Sequence, residues 1–376
     1  MLKKPHVLLV ANTAWSLFNF RRGLIEYLIL NGIKLTVLAP HDLFSEKLNA
    51  LGCDVRPIPL SAKGVNPLED IRLFMFLRNE YEKLQPDFIF HYTIKPNIYG
   101  SVAARLCRIP SIAITTGLGY AFIKNNFVAC VARLMYRLSF RFPSEVWFLN
   151  ADDRNAFLDF NLMVPEKGVL LKGEGVDLRH FYPQNQPTAS GRFRFLLIAR
   201  MLWDKGVGEY VEAARIVRAK NPNAVFQLLG ACDVPNPSAI SRSLIAEWEK
   251  EGVVEYLGTA EDVRPIIAQA DCVVLPSYRE GVPRTMMESA AMAKPLIVSD
   301  APGCREVVRE EVTGYICPVK NAAELADRCV RMLQLSSVQR AQMGLAGRRF
   351  MEEVFDEEKV IAQYVATLRK YNILPR

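Results

Sequence analysis

At 376 residues the chain exceeds one average core, and with 50% hydrophobic and 23% charged residues it reads as a globular protein of two domains. Eight cysteines without a C-x-x-C pair, and only four histidines, argue against a structural zinc site and for small buried thiols in a reducing cytoplasm. The formal net charge of +7 is uneven: no carboxylate lies between Phe88 and Ser144, yet Lys95, Arg105, Arg108, Lys124, Arg133, Arg137 and Arg141 do, which suits phosphates, anionic lipid or nucleic acid.

The opening MLKKPHVLLVAN places two lysines before an apolar run, but the run is too short for a signal peptide and Asn12 interrupts it. A buried first strand accounts for it better. No stretch approaches the ~18 apolar residues needed to span a bilayer, so the expectation is a soluble protein, at most attached to a membrane surface. HVLLVA, KLTVLAP, DFIFHY, SIAITT and EVWFLN then read as strands, apolar throughout, with helical stretches at Phe20–Leu30, Leu68–Leu84 and Ile98–Cys107. After Phe181 the pattern restarts: FRFLLIA, VFQLLG, VEYLG, CVVLP and PLIVS are strands, separated by helices such as Gly208–Ala219 and Ile240–Glu251.

Such alternation predicts an α/β protein of two doubly wound, Rossmann-like domains with parallel sheets, facing across a cleft at the carboxyl ends of their strands. The expected boundaries are 1–181, 182–355 and a terminal segment 356–376. The linker is placed in YPQNQPTASGR (Tyr182–Arg192), and helix Glu357–Lys370 is expected to pack back towards the N-terminal domain.

Chemistry should therefore follow the strands. FRFLLIA runs into RMLWDKG, putting Arg200 at a strand's end and Lys205 before the next helix, two cations suited to a diphosphate. A lysine on a helix's first turn opposes the helix dipole unless an anion binds there. In LPSYREGVPRTMMESAAMA, Glu280 lies in the loop after CVVLP and Glu288 lies a turn or more into the helix that Pro283 begins. Gly281 permits close backbone approach, and the N–H groups of Arg284 and Thr285 suit a phosphate. Glu288 is a candidate for ribose hydroxyls and Glu280 for the sugar. No D-x-D pair follows a strand, so no metal and no cofactor is expected; Asp152–Asp153 reads as a helix start.

ARMLWDKG, the E-x7-E motif EGVPRTMME and PLIVSDAPGCREVV…TGYICP together resemble the retaining glycosyltransferase family 4, of GT-B fold. HYTIKPNIYGSVAARLCRIPSIAITTGLGYAF resembles a bacterial branch that extends undecaprenyl-diphosphate-linked sugars for surface polysaccharide or glycoprotein glycans. The resemblance implies a UDP-sugar donor, a substrate of N-acetylhexosamine type, held mainly by the C-terminal domain. Arg200 and Lys205 would then bind the diphosphate and stabilise the leaving UDP, Glu280 would contact the donor sugar and Glu288 the ribose. The base would lie near Tyr256–Gly258 and Val263. It also implies transfer with retention, a donor phosphate oxygen helping to deprotonate the acceptor.

Many relatives carry a histidine just before the K-x-N-x-x-G segment; here Ile94 stands there, and His91 lies four residues before Lys95. Lys95 and Asn97, with Thr116, Gly117 and Gly119 of TTGLG, are the expected acceptor contacts. In Asn125–Phe142, Arg133, Arg137 and Arg141 recur every four residues, a basic amphipathic helix suited to an anionic membrane surface or a core helix with an arginine edge. The implied partners are a UDP-sugar, a lipid-linked saccharide and the inner face of the plasma membrane, with the protein peripheral and cytoplasmic. The competing readings are a nucleotide-sugar epimerase of the same fold and a non-catalytic nucleotide-sugar or lipid-binding protein. Nucleic-acid binding has no motif to accompany the charge.

Overall fold

The computed structural model of the chain describes residues 4–60, 66–118, 127–184 and 191–375. Two compact units divide it: Met1–Glu174 together with Glu358–Arg376, and Gly175–Glu357.

In the first unit the described residues form a parallel sheet in the order β3-β2-β1-β4-β5-β6-β7. The strands are β1 (His6–Val10), β2 (Lys34–Ala39), β3 (Asp54–Pro57), β4 (Phe88–Tyr92), β5 (Ser111–Thr115), β6 (Glu145–Phe148) and β7 (Gly168–Leu170). β1, β4, β5 and β6 are buried along their whole length, which is why their sequences are apolar runs instead of alternating. Helices α1 (Ala14–Leu30), α2 (Leu43–Ala50), α3 (Pro67–Leu84), α4 (Ser101–Leu106), α5 (Phe127–Ser139) and α6 (Ala151–Asp159) join them. Side chains that bond the first free N–H groups start several: Thr13 for α1, Asp42 with Ser45 for α2, and Asn150 for α6.

In the second unit β8 (Phe193–Ile198), β9 (Ala224–Leu229), β10 (Glu255–Tyr256), β11 (Cys272–Leu275), β12 (Leu296–Ser299) and β13 (Gly314–Cys317) form a parallel sheet in the order β10-β9-β8-β11-β12-β13. Its helices are α7 (Val207–Arg218), α8 (Arg242–Lys250), α9 (Arg264–Gln269), α10 (Arg284–Ala291), α11 (Ala322–Gln334) and α12 (Ser337–Phe350). Phe195, Leu197, Tyr210, Phe226, Ile245, Val274 and Cys329 pack one core there. Each sheet reverses its strand order once, between β1 and β4 and between β8 and β11, the place where doubly wound sheets bind ligands.

The last helix, α13 (Glu357–Lys370), packs within the first unit apart from its first residue. Tyr364 packs at a tilt against Phe90 and edge-on against Trp147, both at 4.9 Å between ring centres, Tyr371 packs at a tilt against Phe88 at 5.3 Å, and Lys370 Nζ lies 2.6 Å from Glu145.

The division falls at Glu174, earlier than the expected linker, of which residues 185–190 lie outside the described residues. Residues 175–181 belong to the second unit for a physical reason. Val176 pairs with Asp356 and donates its N–H to the Phe355 carbonyl at 2.8 Å, and Arg348 holds the carbonyls of Leu178 and Phe181. Edge strands β3, β7 and β13 were not among the expected apolar runs: β3 is a half-exposed DVRP and β7 has three residues.

Candidate active site

β8 and β11 are neighbours in register, Cys272 opposite Phe195 and Val273 opposite Leu196, so the loops they feed emerge side by side. β8 leads to Arg200 and then to a turn at Trp203–Lys205; β11 leads to Glu280. The two loops are fastened together. The carbonyl of Asp204 accepts the N–H of Tyr278 at 3.0 Å and the hydroxyl of Ser277 at 3.2 Å. Gly206, at φ +73°, brings its Cα so close to Pro276 that any side chain would collide with the Pro276 carbonyl. Behind Glu280, its N–H donates to Pro302 at 2.9 Å, and Gly303, at φ +82°, leaves the room a side chain would take from the Glu280 carbonyl. The outcome is an ion pair: Lys205 Nζ lies 2.5 Å from Glu280 Oε1, the side chains 20% and 14% exposed.

α10 supplies the second pair. Arg284 Nε lies 2.9 Å from Glu288 Oε1, one helical turn apart. Burial pushes the Glu288 carboxyl above its usual value, and Arg284 offsets only part of that rise. Thr285 donates its hydroxyl to the Ile198 carbonyl at 3.3 Å, tying α10 to the end of β8 beside Arg200. Arg200 itself is exposed and makes no hydrogen bond or ion pair among the described residues. Arg200, Lys205, Glu280, Gly281, Arg284, Thr285 and Glu288 thus share the carboxyl ends of two adjacent strands.

Gly258 and Val263 lie between β10, at the sheet's far edge, and α9. The Gly258 carbonyl accepts the Gly230 N–H at 2.7 Å, and Tyr256 donates its hydroxyl to the Gly230 carbonyl at 2.8 Å. Among the described residues no group of three or more His, Cys, Asp or Glu side chains is placed to hold a metal ion.

In the first unit the expected contacts follow β4 and β5. Lys95 pairs with Asp70 at 2.9 Å, and Asp70 also takes the Tyr99 hydroxyl at 2.8 Å. Asn97 is fully buried, and its amide is committed to the backbone of Ile114, donating at 2.9 Å and accepting at 3.2 Å. It therefore braces β5, and its burial keeps the rest of the amide from a ligand. Thr116 and Gly117 are half-buried, while Gly119 lies outside the described residues. His91 is fully buried with Nε2 3.0 Å from the Tyr81 hydroxyl, and burial pulls its pKa down to about 3, so it is a neutral core residue.

The basic helix also differs from expectation. α5 ends at Ser139, so Arg141 lies beyond it, and Arg133 stacks over the Phe160 ring at 4.5 Å. Arg137 and Arg141 are exposed, and so are Val131, Leu134, Leu138 and Phe142. Among the described residues no helix is long and apolar enough to cross a membrane.

Two family models match the chain: glycosyl transferases group 1 over residues 192–335, and glycosyl transferase 4-like over residues 6–150. The chain is 31% identical over 365 residues to the N,N'-diacetylbacillosaminyl-diphospho-undecaprenol alpha-1,3-N-acetylgalactosaminyltransferase of Campylobacter jejuni, covering 93% of this chain and 94% of that one. It is 23% identical over 287 residues to the UDP-Gal:alpha-D-GlcNAc-diphosphoundecaprenol alpha-1,3-galactosyltransferase of Escherichia coli, 73% of each chain. In structure it is similar to a glycosyltransferase from Rickettsia africae (TM-score 0.81, 17% identity, 98% of this chain and 99% of that one). The same holds for Anabaena HepE in complex with UDP-glucose (TM-score 0.80, 18% identity, 97% and 99%).

Proposed function

The chain belongs to the family 4 glycosyltransferases of GT-B fold, and from that premise we propose that it moves an N-acetylhexosamine from a UDP-sugar to a saccharide carried on undecaprenyl diphosphate, with retention at the anomeric carbon. The observation that carries the reading is the Lys205–Glu280 pair at the carboxyl ends of β8 and β11, beside Arg200 and the Arg284–Glu288 pair. As the glycosidic bond breaks, negative charge grows on the leaving UDP. Arg200 and Lys205 meet it with positive charge, an interaction that strengthens in the transition state. Glu280 orients the sugar, and Glu288 takes the ribose hydroxyls. A phosphate oxygen of the donor receives the acceptor's proton. No step in this scheme calls for a metal ion.

The names of the two relatives, each acting on a diphospho-undecaprenol saccharide, support the acceptor. Exposed Val131, Leu134 and Leu138 on α5, with exposed Arg137 and, beyond the helix end, exposed Arg141 and Phe142, support a peripheral seat on an anionic membrane, where each cation adds about 1 kcal/mol. The acceptor contacts fall to Lys95 and the Thr116–Gly117 segment. The test is incubation with a panel of UDP-sugars and a diphospho-undecaprenol saccharide, the product's anomeric configuration being read by NMR. An α-linked product from an α-linked donor is expected; a β-linked product would overturn retention, and failure to bind any UDP-sugar would overturn the donor.

A further inference from the structure

We propose that Tyr278 is a positioning residue for the transfer step and that Glu209 sets it, an inference that rests on the roles given above to Lys205 and Glu280. Tyr278 stands two residues before Glu280 and touches three separate elements. Its N–H is bonded to Asp204, the residue before Lys205. Its hydroxyl donates to Glu209 Oε1 at 2.7 Å, in the first turn of α7. Lys320, at the carboxyl end of β13, holds its ammonium 4.8 Å from the centre of the Tyr278 ring.

These contacts divide into two kinds. Main-chain bonds and the Gly206–Pro276 contact fasten the Lys205 loop to the Glu280 loop, and no side-chain substitution at Tyr278 removes them. The hydroxyl–carboxylate bond is different: it fixes the Glu280 loop to α7, which begins at Val207, two residues after Lys205. A hydrogen bond to a carboxylate is among the stronger kinds, and here the cation over the ring holds the tyrosine from a further side. Loss of the hydroxyl therefore leaves the main-chain joint and Lys205 in place and removes one tie from the loop that carries Glu280, which loosens the carboxylate by a small amount. Small misplacements of a group that acts in the transition state appear in turnover more than in ground-state binding.

The test uses the full chain with Tyr278→Phe, Glu209→Ala and Glu209→Gln, measuring kcat, the donor KM, UDP affinity by calorimetry and thermal stability. Tyr278→Phe should lower kcat about tenfold while the UDP dissociation constant stays within about twofold. Glu209→Ala should reproduce that loss, Glu209→Gln should recover most of it because an acceptor oxygen remains, and the double variant Tyr278→Phe/Glu209→Ala should be no worse than either single one. Wild-type kcat in Tyr278→Phe overturns the proposal alone. A fall in kcat and UDP affinity together, matching the loss of folded protein, overturns it in favour of a purely structural contact. A wild-type protein that binds no UDP but transfers sugar from another carrier overturns both this inference and the donor reading.

Discussion

Glu280→Gln should move nucleotide binding and turnover in opposite directions. Lys205 is held by Glu280 at 2.5 Å, with both side chains a fifth exposed or less, so solvent screens the pair little. A hydrogen bond between charged groups in such a setting contributes ~1.5–3 kcal/mol. A diphosphate must draw the ammonium away from the carboxylate, and that contribution is then subtracted from the binding free energy. Glutamine keeps the shape and removes the charge. Taking the lower end, because an amide oxygen still accepts from the ammonium, UDP should bind the variant about tenfold more tightly, equivalent to ~1.4 kcal/mol. Transfer should fall about 10²–10³-fold, the usual loss when one preorganised group at the reacting centre is removed. Calorimetric titration of UDP into wild type, Glu280→Gln, Lys205→Ala and the double variant closes a cycle that isolates the coupling. In the Lys205→Ala background the glutamine should give no gain. Equal or weaker UDP binding by Glu280→Gln, in a protein that melts like wild type, would refute competition between the carboxylate and the diphosphate.

Glu288→Gln should weaken uridine and UDP alike, by about tenfold or more, whereas Lys205→Ala should weaken UDP and spare uridine; paired titrations of the two ligands read the difference. Because burial raises the Glu288 carboxyl, UDP affinity should begin to fall on acidification at a higher pH than an exposed carboxylate would give. His91, pulled down to about 3, leaves the folded chain binding fewer protons than the unfolded chain below the unfolded pKa of ~6.5. Its contribution is complete above that pH and is lost as pH falls towards 3, with a limiting slope of ~1.4 kcal/mol per pH unit. Melting curves across that window should be flatter in His91→Gln, and an unchanged slope would discount the assignment. Leu134→Ser/Leu138→Ser and Arg137→Gln/Arg141→Gln should each reduce sedimentation with anionic vesicles, the second pair more at low salt; retention by both would leave these side chains without a lipid role.

The doubly wound fold was legible because strands buried on both faces must be apolar along their length, and β1, β4, β5 and β6 are. Edge strands face that requirement on one side only, so Asp54–Pro57 and Gly168–Leu170 leave no such run. The unit boundary was hidden for another reason. Residues 175–181 are compositionally ordinary, and what assigns them to the second unit is bonding to residues 348–357, far along the chain. The three-arginine face of α5 failed on a boundary of a few residues: a four-residue spacing has meaning only while the helix continues, and it stops at Ser139.

For the site, residue types and strand ends were readable, whereas partners were not. Arg284 and Glu288 sit at i and i+4, so their pairing follows from helical spacing. Lys205 and Glu280 are 75 residues apart, and only the adjacency of β8 and β11 brings them together. Asn97 shows the converse: a polar residue after a strand looks available until its amide is seen to span the Ile114 backbone. Glycines carried more of this than their residue type reveals. Gly206 and Gly303 stand where a side chain would strike the backbone of the loop bearing Glu280, one from the Lys205 side and one from behind. The carboxylate is thus set between two close backbone approaches, and even a methyl group at either must move the loop that carries it. A Gly303→Ala variant should accordingly lose transfer with Lys205 and Arg200 intact, at a position that offers no chemistry of its own.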